Sequence, residues 1–400
     1  MGNYSPDISD MNFIVITTSK TFDLKTGQQI VGGIQTYTCD LCHLAKSKGY
    51  AVSMIQLDAE QASETRNIGD ISFQIFNKKG RSNQSTFDEI YALKNTPSSL
   101  FVLATDQMDV KTKADNVIVI QHGIAFDNPI TSGFWSKNRL LLHINKMVRA
   151  LKNVRRLYWS KNTVCVDYNY YNWFRTLGMI YPGKKVKVIP NYSSGRISEE
   201  ELSEKLSRYQ KDGLIKIVFA RRFCDYRGTL IFSNCVDRLL PEYPNLDFTF
   251  AGGGELKGEL ERRYSENPRV HITSFAAPES IRFHRQYDIA VVPTIFSEGT
   301  SLSLLEAMSA GCFPIATHVG GMTNIVLDHY NGLMCYPSEE GVYNAIVEAV
   351  SMSLQEYKDI VTQAYMSATR AFSAEQWQNR WSVFMDEVMG KYAKERIEER

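Results

Sequence analysis

Two glutamates separated by seven residues stand in the run Ser297-Glu298-Gly299-Thr300-Ser301-Leu302-Ser303-Leu304-Leu305-Glu306-Ala307-Met308. The pattern sets one carboxylate in a loop directly before a helix and the second within the helix's first turns. Gly299, Thr300 and Ser301 leave the helix start open, so free backbone N–H groups and the positive end of the dipole face any ligand there. A carboxylate accepts well from a vicinal pair of hydroxyls, which a sugar ring and a ribose both offer. Two carboxylates so spaced can grip the two ends of a nucleotide sugar. In isolation the same glutamates read as a helix-terminus charge and a surface residue; that reading loses to the motifs around them.

A second constellation, Arg222-Phe223-Cys224-Asp225-Tyr226-Arg227-Gly228, follows the apolar run Ile215–Phe219. Arg222 and Arg227, on a turn at a strand's C-terminal end, suit the neutralisation of a diphosphate leaving group. Gln121-His122-Gly123 follows the run Val117–Ile120, which puts His122 at another strand end, although a lone histidine is more often structural. Gly32-Gly33 opens a helix after a polar loop, where glycines let backbone approach a phosphate; alone, such a pair is only a turn signal. Ala251-Gly252-Gly253-Gly254-Glu255 is a glycine-rich turn after a further strand and reads equally as a flexible loop.

The elements that must position these groups alternate regularly. Phe13–Ile16, Val52–Leu57, Leu100–Leu103 and Val117–Ile120 are short, apolar and β-rich, as parallel strands buried on both faces are. Ile34, Tyr37, Leu41 and Leu44 recur at helical spacing between the first two. Arg155–Ser160 and Val186–Ile189 read as two more strands. Pro190-Asn191 then breaks the pattern, and the domain boundary is placed there. The alternation restarts with Ile215–Phe219, Leu246–Ala251, Val270–Thr273, Ile289–Val292 and Phe313–Ala316. Two such series predict an α/β protein of two doubly wound sheets with a cleft between them: a first domain over 1–190, a second over 191–370, and a terminal helix over 371–400. That last stretch, ending in the charge-rich Lys391–Arg400, fits a solvated helix and a helix crossing back to the first domain equally.

Four hundred residues, 44% of them hydrophobic, are enough for two full cores. The net charge of +1 hides an asymmetry: residues 1–190 hold 23 Lys+Arg against 15 Asp+Glu, and residues 191–400 hold 22 against 29. The first half is therefore suited to something anionic. Between Asp127 and Asp167 there is no acidic residue, while Lys137, Arg139, Lys146, Arg149, Lys152, Arg155, Arg156 and Lys161 alternate with Leu140, Leu141, Leu142, Ile144, Met147, Val148 and Leu151. Residues 137–161 read as a basic amphipathic helix, either lying on anionic lipid or packing its leucines inward. No nucleic-acid module accompanies the charge. Seven cysteines, an odd number scattered outside loops, read as reduced, buried thiols of a cytoplasmic protein. Cys39 and Cys42 lie within a helical pattern without a second pair at metal spacing. The chain begins polar, with Asp7 and Asp10, and no apolar stretch reaches the roughly 20 residues of a membrane span.

From Ile215 onward these motifs resemble glycosyltransferase family 4, the retaining enzymes of GT-B fold whose hallmark is two glutamates separated by seven residues. The match runs on through Gly311-Cys312-Phe313-Pro314-Ile315-Ala316-Thr317, Gly320-Gly321, Asn331-Gly332 and Pro337. The resemblance implies two Rossmann-like domains facing a central cleft. It implies that Glu298 contacts donor-sugar hydroxyls, that Glu306 holds the ribose, and that the backbone of Gly299, Thr300, Ser301 and Leu302 meets sugar and phosphate oxygens. Arg222 and Arg227 would stabilise the diphosphate, His122 would lie beside the reacting sugar, and Gly32, Gly33, Gly252 and Gly253 would line the donor. The nucleobase would pack near Thr273 to Phe275. The chain departs from the family at Arg227, where Lys is usual, and at Arg221, where Gly commonly stands. A forked guanidinium does not reproduce an ammonium's geometry.

The implied activity is transfer of a hexosyl unit, with retention, from a nucleoside diphosphate sugar to a hydroxyl of a glycan or lipid-linked acceptor, in polysaccharide or glycoconjugate synthesis. No metal is expected, because the cations neutralise the leaving group. The enzyme would work in the cytoplasm, in peripheral contact with the inner face of the plasma membrane. Alternatives are a nucleotide-sugar hydrolase or epimerase of the same architecture and a non-catalytic nucleotide-sugar or glycan-binding protein. A dehydrogenase fits less well, since no G-x-G-x-x-G follows the first strand.

Overall fold

A computed structural model describes residues 11–23, 28–30, 32–69, 71–123, 138–209, 213–296 and 298–398. The expectations placed on Lys137 and Ser297, and on the charged side chains of 391–400, lie outside the described residues. The chain forms two compact units. One takes the chain to His122 and on to Ile189, and regains it from Gln378; the other runs over Pro190–Trp377.

In the first unit, the described residues form an eight-stranded sheet from β1 (Asn12–Thr17), β2 (Ala51–Asp58), β3 (Glu64–Ile68), β4 (Ile71–Asn77), β5 (Ser99–Leu103), β6 (Val117–Gln121), β7 (Asn162–Cys165) and β8 (Lys185–Val188). Their order is β3-β4-β2-β1-β5-β6-β7-β8, and β3 alone among them runs antiparallel, against β4. Strands β5 and β6 are buried at every position, as the continuous apolar runs require of strands covered on both faces.

Two details differ from the sequence reading. Arg155–Ser160 is no strand: Arg155 and Arg156 close the helix Arg139–Arg156, and Leu157–Trp159 continues as a 3₁₀ turn. Aromatic Tyr158 and Trp159 imitate β propensity, but the strand starts at Asn162, whose buried amide donates to the carbonyls of Asp115 (2.7 Å) and Val117 (3.2 Å). The second is the β3–β4 hairpin, whose polar, half-exposed β3 lacks the apolar signal used to find the others.

In the second unit, the strands are β9 (Ile215–Ala220), β10 (Leu246–Ala251), β11 (Val270–Thr273), β12 (Ile289–Val292), β13 (Phe313–Thr317) and β14 (Leu333–Cys335), all parallel in the order β11-β10-β9-β12-β13-β14. This is the doubly wound order in which chain progression reverses direction between the first and fourth strands. The core is aromatic: Phe219, Phe232, Phe248 and Phe250 are all fully buried, with Phe232 edge-on to Phe250 at 5.0 Å. Both units are α/β with parallel-rich sheets, as the sequence predicts.

Two helices of the first unit differ in what they bury. Ala374–Glu398 buries Trp381, Phe384, Met385 and Val388, one stripe at helical spacing, within that unit. It is tied there by Lys48 to Asp386 (3.0 Å) and by Lys185 and Lys187 to Glu387 (3.4 and 3.2 Å). Helix Arg139–Arg156 buries only Ala150 and Val154 deeply, while Leu140, Ile144, Met147, Val148 and Leu151 are exposed, from 44% at Ile144 to 68% at Leu140. These five apolar side chains are not packed inward. The seven cysteines are all buried and unbridged.

Candidate active site

The strand order of the second unit makes β9 and β12 neighbours at the reversal, and ligands of open α/β sheets bind outside the carboxyl ends of strands at such a point. The chain leaves β9 directly into Arg221 and leaves β12 through Thr294 to Glu298. There Arg221 Nη2 donates to Glu298 Oε2 across 2.6 Å, Arg227 Nη1 donates to the same oxygen, and Thr294 Oγ1 adds a third hydrogen bond at 3.1 Å. Arg221 also donates to Thr294 Oγ1 through its other terminal nitrogen. Burial pushes the Glu298 carboxyl up, but the two guanidiniums together outweigh it and hold it below the usual carboxylate range. Burial likewise lowers Arg221, against the opposing pull of Glu298.

The cation that joins Arg227 at this carboxylate is therefore Arg221, whereas Arg222, the residue that the sequence pattern singles out, is exposed. In the sequence Arg221 stands out only as a departure from a glycine; a charged residue in that place immediately after a strand is the available signal.

Glycines fix the surrounding backbone. Gly320 (φ +55) lies so close that a Cβ would overlap the Glu298 carbonyl oxygen, and Gly321 N donates to that oxygen at 3.0 Å. The Gly320-Gly321 pair thus holds the Glu298 loop from beneath. Gly252 (φ +153) packs against the Arg221 carbonyl in the same way, while a Cβ on Gly253 would meet open space. Of the two glycines assigned to the donor, Gly252 has a packing duty and Gly253 is open.

The helix Leu302–Ser309 follows, capped by Ser301 without a side-chain hydrogen bond, so its first N–H groups are left to another acceptor. Asn191 Nδ2 donates to the Thr300 carbonyl at 2.7 Å and fixes the loop leading in. Within the helix, half-buried Glu306 accepts from Ser280 Oγ at 2.6 Å. Burial raises the Glu306 carboxyl to about 7, with Ser280 opposing. Ser280 gives no signal in the sequence. Phe275 stacks on Phe283 at 4.3 Å, and both rings neighbour buried His284.

In the first unit, Gly32 is the N-cap of the helix Gly33–Ser47, again without a side-chain cap bond. His122 leaves the end of β6 with Nε2 2.8 Å from the Ala104 carbonyl and its ring edge-on to Tyr37 at 5.1 Å. Burial lowers this imidazole to about 4, so it is neutral near pH 7. A carbonyl only accepts, so Nε2 carries the proton and Nδ1 is the acceptor.

A family model described as "Glycosyl transferases group 1" matches residues 215–353, the stretch that carries Arg221, Arg227, Glu298 and Glu306. Among curated relatives of this chain, D-inositol 3-phosphate glycosyltransferase of Paenarthrobacter aurescens is 26% identical over 180 residues, 42% of each chain. The chain spans less than half the length of the first curated relatives it matches. Sucrose-phosphate synthase from Thermosynechococcus elongatus superposes with a TM-score of 0.70 at 13% identity over 95% of this chain and 100% of that one. Anabaena HepE in complex with UDP gives 0.67 at 13% identity over 94% and 100%. These likenesses give the chain the GT-B fold. Within it, the second unit gathers Glu298, Arg227 and the Gly299–Leu302 backbone at one strand reversal, and sets Glu306 on the helix that follows.

Proposed function

We propose that this chain is a retaining glycosyltransferase that takes a hexosyl group from a nucleoside diphosphate sugar and passes it to a hydroxyl of a glycan or lipid-linked acceptor. The observation that carries the reading is the convergence of Arg221 and Arg227 on Glu298 beside an uncapped helix start. Two guanidiniums against one carboxylate leave net positive charge where a diphosphate would depart. The backbone N–H groups at the start of the helix that carries Glu306 add to it. These groups supply the charge that a metal ion would otherwise bring, so no metal is required in this mechanism. Glu306 would accept from the ribose, and the free edge of Glu298 from the donor sugar. The glycosidic bond would break toward an oxocarbenium-like sugar, and the acceptor hydroxyl would attack from the leaving-group face. His122, neutral and with Nδ1 as an acceptor, would sit beside that sugar. UDP bound to HepE supports a nucleotide donor, and the inositol phosphate in the name of the Paenarthrobacter relative supports a polar, hydroxyl-bearing acceptor.

The exposed stripe Leu140, Ile144, Met147, Val148 and Leu151, on a helix that also carries Lys146, Arg149, Lys152 and Arg155, supports peripheral docking on anionic lipid at the inner membrane face. No described helix is long and apolar enough to cross a membrane. A role in surface polysaccharide or glycoconjugate assembly follows from such a location.

The test is product analysis. The purified chain is given nucleotide sugars with and without acceptor glycans, and the product anomer is read by NMR. Transfer with retained configuration supports the proposal. An inverted product overturns the retaining assignment, and nucleotide release indifferent to acceptor favours a hydrolase.

A further inference from the structure

The terminal helix does more than close the first unit. Trp381, fully buried, donates from Nε1 to the Tyr37 hydroxyl at 2.7 Å, and Tyr37, also buried, meets the His122 ring edge-on at 5.1 Å and 89°. Tyr37 and Trp381 themselves pack at 6.2 Å and 70°. His122 is thus held at two places, by the Ala104 carbonyl at Nε2 and by the edge-to-face contact of its ring with Tyr37. A ring contact alone leaves an aromatic side chain free to slide; the indole N–H pins the far end of Tyr37, and through it the imidazole.

We propose that Tyr37 and Trp381 are positioning residues for His122: Trp381, from the C-terminal helix, fixes Tyr37, and Tyr37 fixes the orientation of the imidazole, keeping Nε2 on the Ala104 carbonyl that sets the tautomer. The inference rests on the reading of His122 as a residue beside the reacting sugar. It assigns the last helix a part in building the active site, carried by one hydrogen bond and one ring contact. Chemistry is sensitive to such placement, since a 1 Å displacement at a reacting group can cost about 100-fold in rate.

The experiment uses the full chain labelled with ¹⁵N at histidine, in wild-type, Trp381→Phe, Tyr37→Phe and His122→Ala forms. The His122→Ala spectrum assigns the ring signals. Wild type should show a single Nε2–H tautomer at His122. Trp381→Phe, which keeps an aromatic ring and removes the N–H, should move the His122 nitrogen signals toward an averaged pair while the other histidines stay in place. If Trp381→Phe melts lower than wild type, Tyr37→Phe, which removes the acceptor and keeps the ring on His122, provides the same reading. Unmoved His122 signals in both variants would overturn the inference. Turnover is followed in parallel as UDP release from UDP-glucose. Loss on His122→Ala together with a smaller loss on Trp381→Phe supports the inference. Full UDP release by His122→Ala removes the role of His122 itself, whatever the spectra show of its packing.

Discussion

Arg221 and Glu298 meet across 2.6 Å with 6% and 9% of their side chains exposed, an ion pair buried at the point where the second sheet reverses its strand order. Successive side chains leaving a strand point to opposite sides, so of the adjacent Arg221 and Arg222 only one can reach this carboxylate. The sequence pattern sets Arg222 toward a diphosphate; the residue that reaches Glu298 is its neighbour Arg221.

Glu298→Ala leaves Arg221 buried without its counter-charge, and removing one partner of a buried pair typically costs about 3 kcal/mol or more. The melting temperature of the variant should fall by several degrees, whereas Arg222→Ala should leave it unchanged. Acid should act on the same pair. The Glu298 carboxyl is held below its ordinary 4.5, so its contribution is complete above that value and drains away as pH falls beneath it. Melting curves across pH 3 to 6, roughly the range over which a carboxyl titrates, should lose this acid sensitivity in Glu298→Gln.

The glycines offer a paired comparison. Gly320→Ala forces a Cβ into the Glu298 carbonyl at a positive φ and should destabilise by more than about 1 kcal/mol while displacing the Glu298 loop. Gly253→Ala points into open space and should be near neutral for stability. Equal melting points for the two variants would contradict the packing account.

Glu306 carries the opposite pH dependence. Its carboxyl is raised from 4.5 to about 7, so its burial cost is absent below the lower value, grows as pH rises and is complete above the higher one. Ribose hydroxyls donate to the ionised form. Nucleoside diphosphate affinity should therefore increase between about pH 6 and about pH 8 and then level, and Glu306→Gln should flatten the curve. Calorimetric titration at three pH values reads this directly.

The helix Arg139–Arg156 should bind vesicles containing phosphatidylglycerol and ignore neutral phosphatidylcholine vesicles. Each cation near an anionic surface is worth about 1 kcal/mol, so Arg149→Glu with Lys152→Glu should weaken binding by at least tenfold. Leu140→Ser with Met147→Ser should weaken it at high salt as well, because apolar insertion is not screened. Sedimentation with vesicles at two salt concentrations separates the two contributions.

Most of the architecture is legible in the sequence because parallel strands buried on both faces are written as apolar runs; β5, β6 and β12 are buried at every position, and β9 and β10 admit a charged residue only at Lys216 and Asp247 near their starts. The hairpin of β3 and β4 is not, since Glu64–Ile68 is polar and half-exposed, and Tyr158-Trp159 imitates a strand inside a helix-to-3₁₀ ending. In the candidate site, the spacing of Glu298 and Glu306 and the family resemblance locate the second-unit cluster. Contacts between residues far apart in sequence leave no local trace: Ser280 with Glu306, Arg221 with Glu298, and Trp381 with Tyr37 depend on which faces the folded elements present to one another.

The most direct test of the central claim is calorimetric titration of the full chain with UDP, GDP, ADP and TDP, repeated with Arg227→Ala and Glu306→Ala. If the second unit holds a nucleotide-sugar donor between its guanidiniums and its ribose-binding carboxylate, one nucleotide should bind well above the others and weaken by at least tenfold in each variant, roughly the loss of one charge-assisted contact. Absence of binding by all four, or binding untouched by both substitutions, would contradict it.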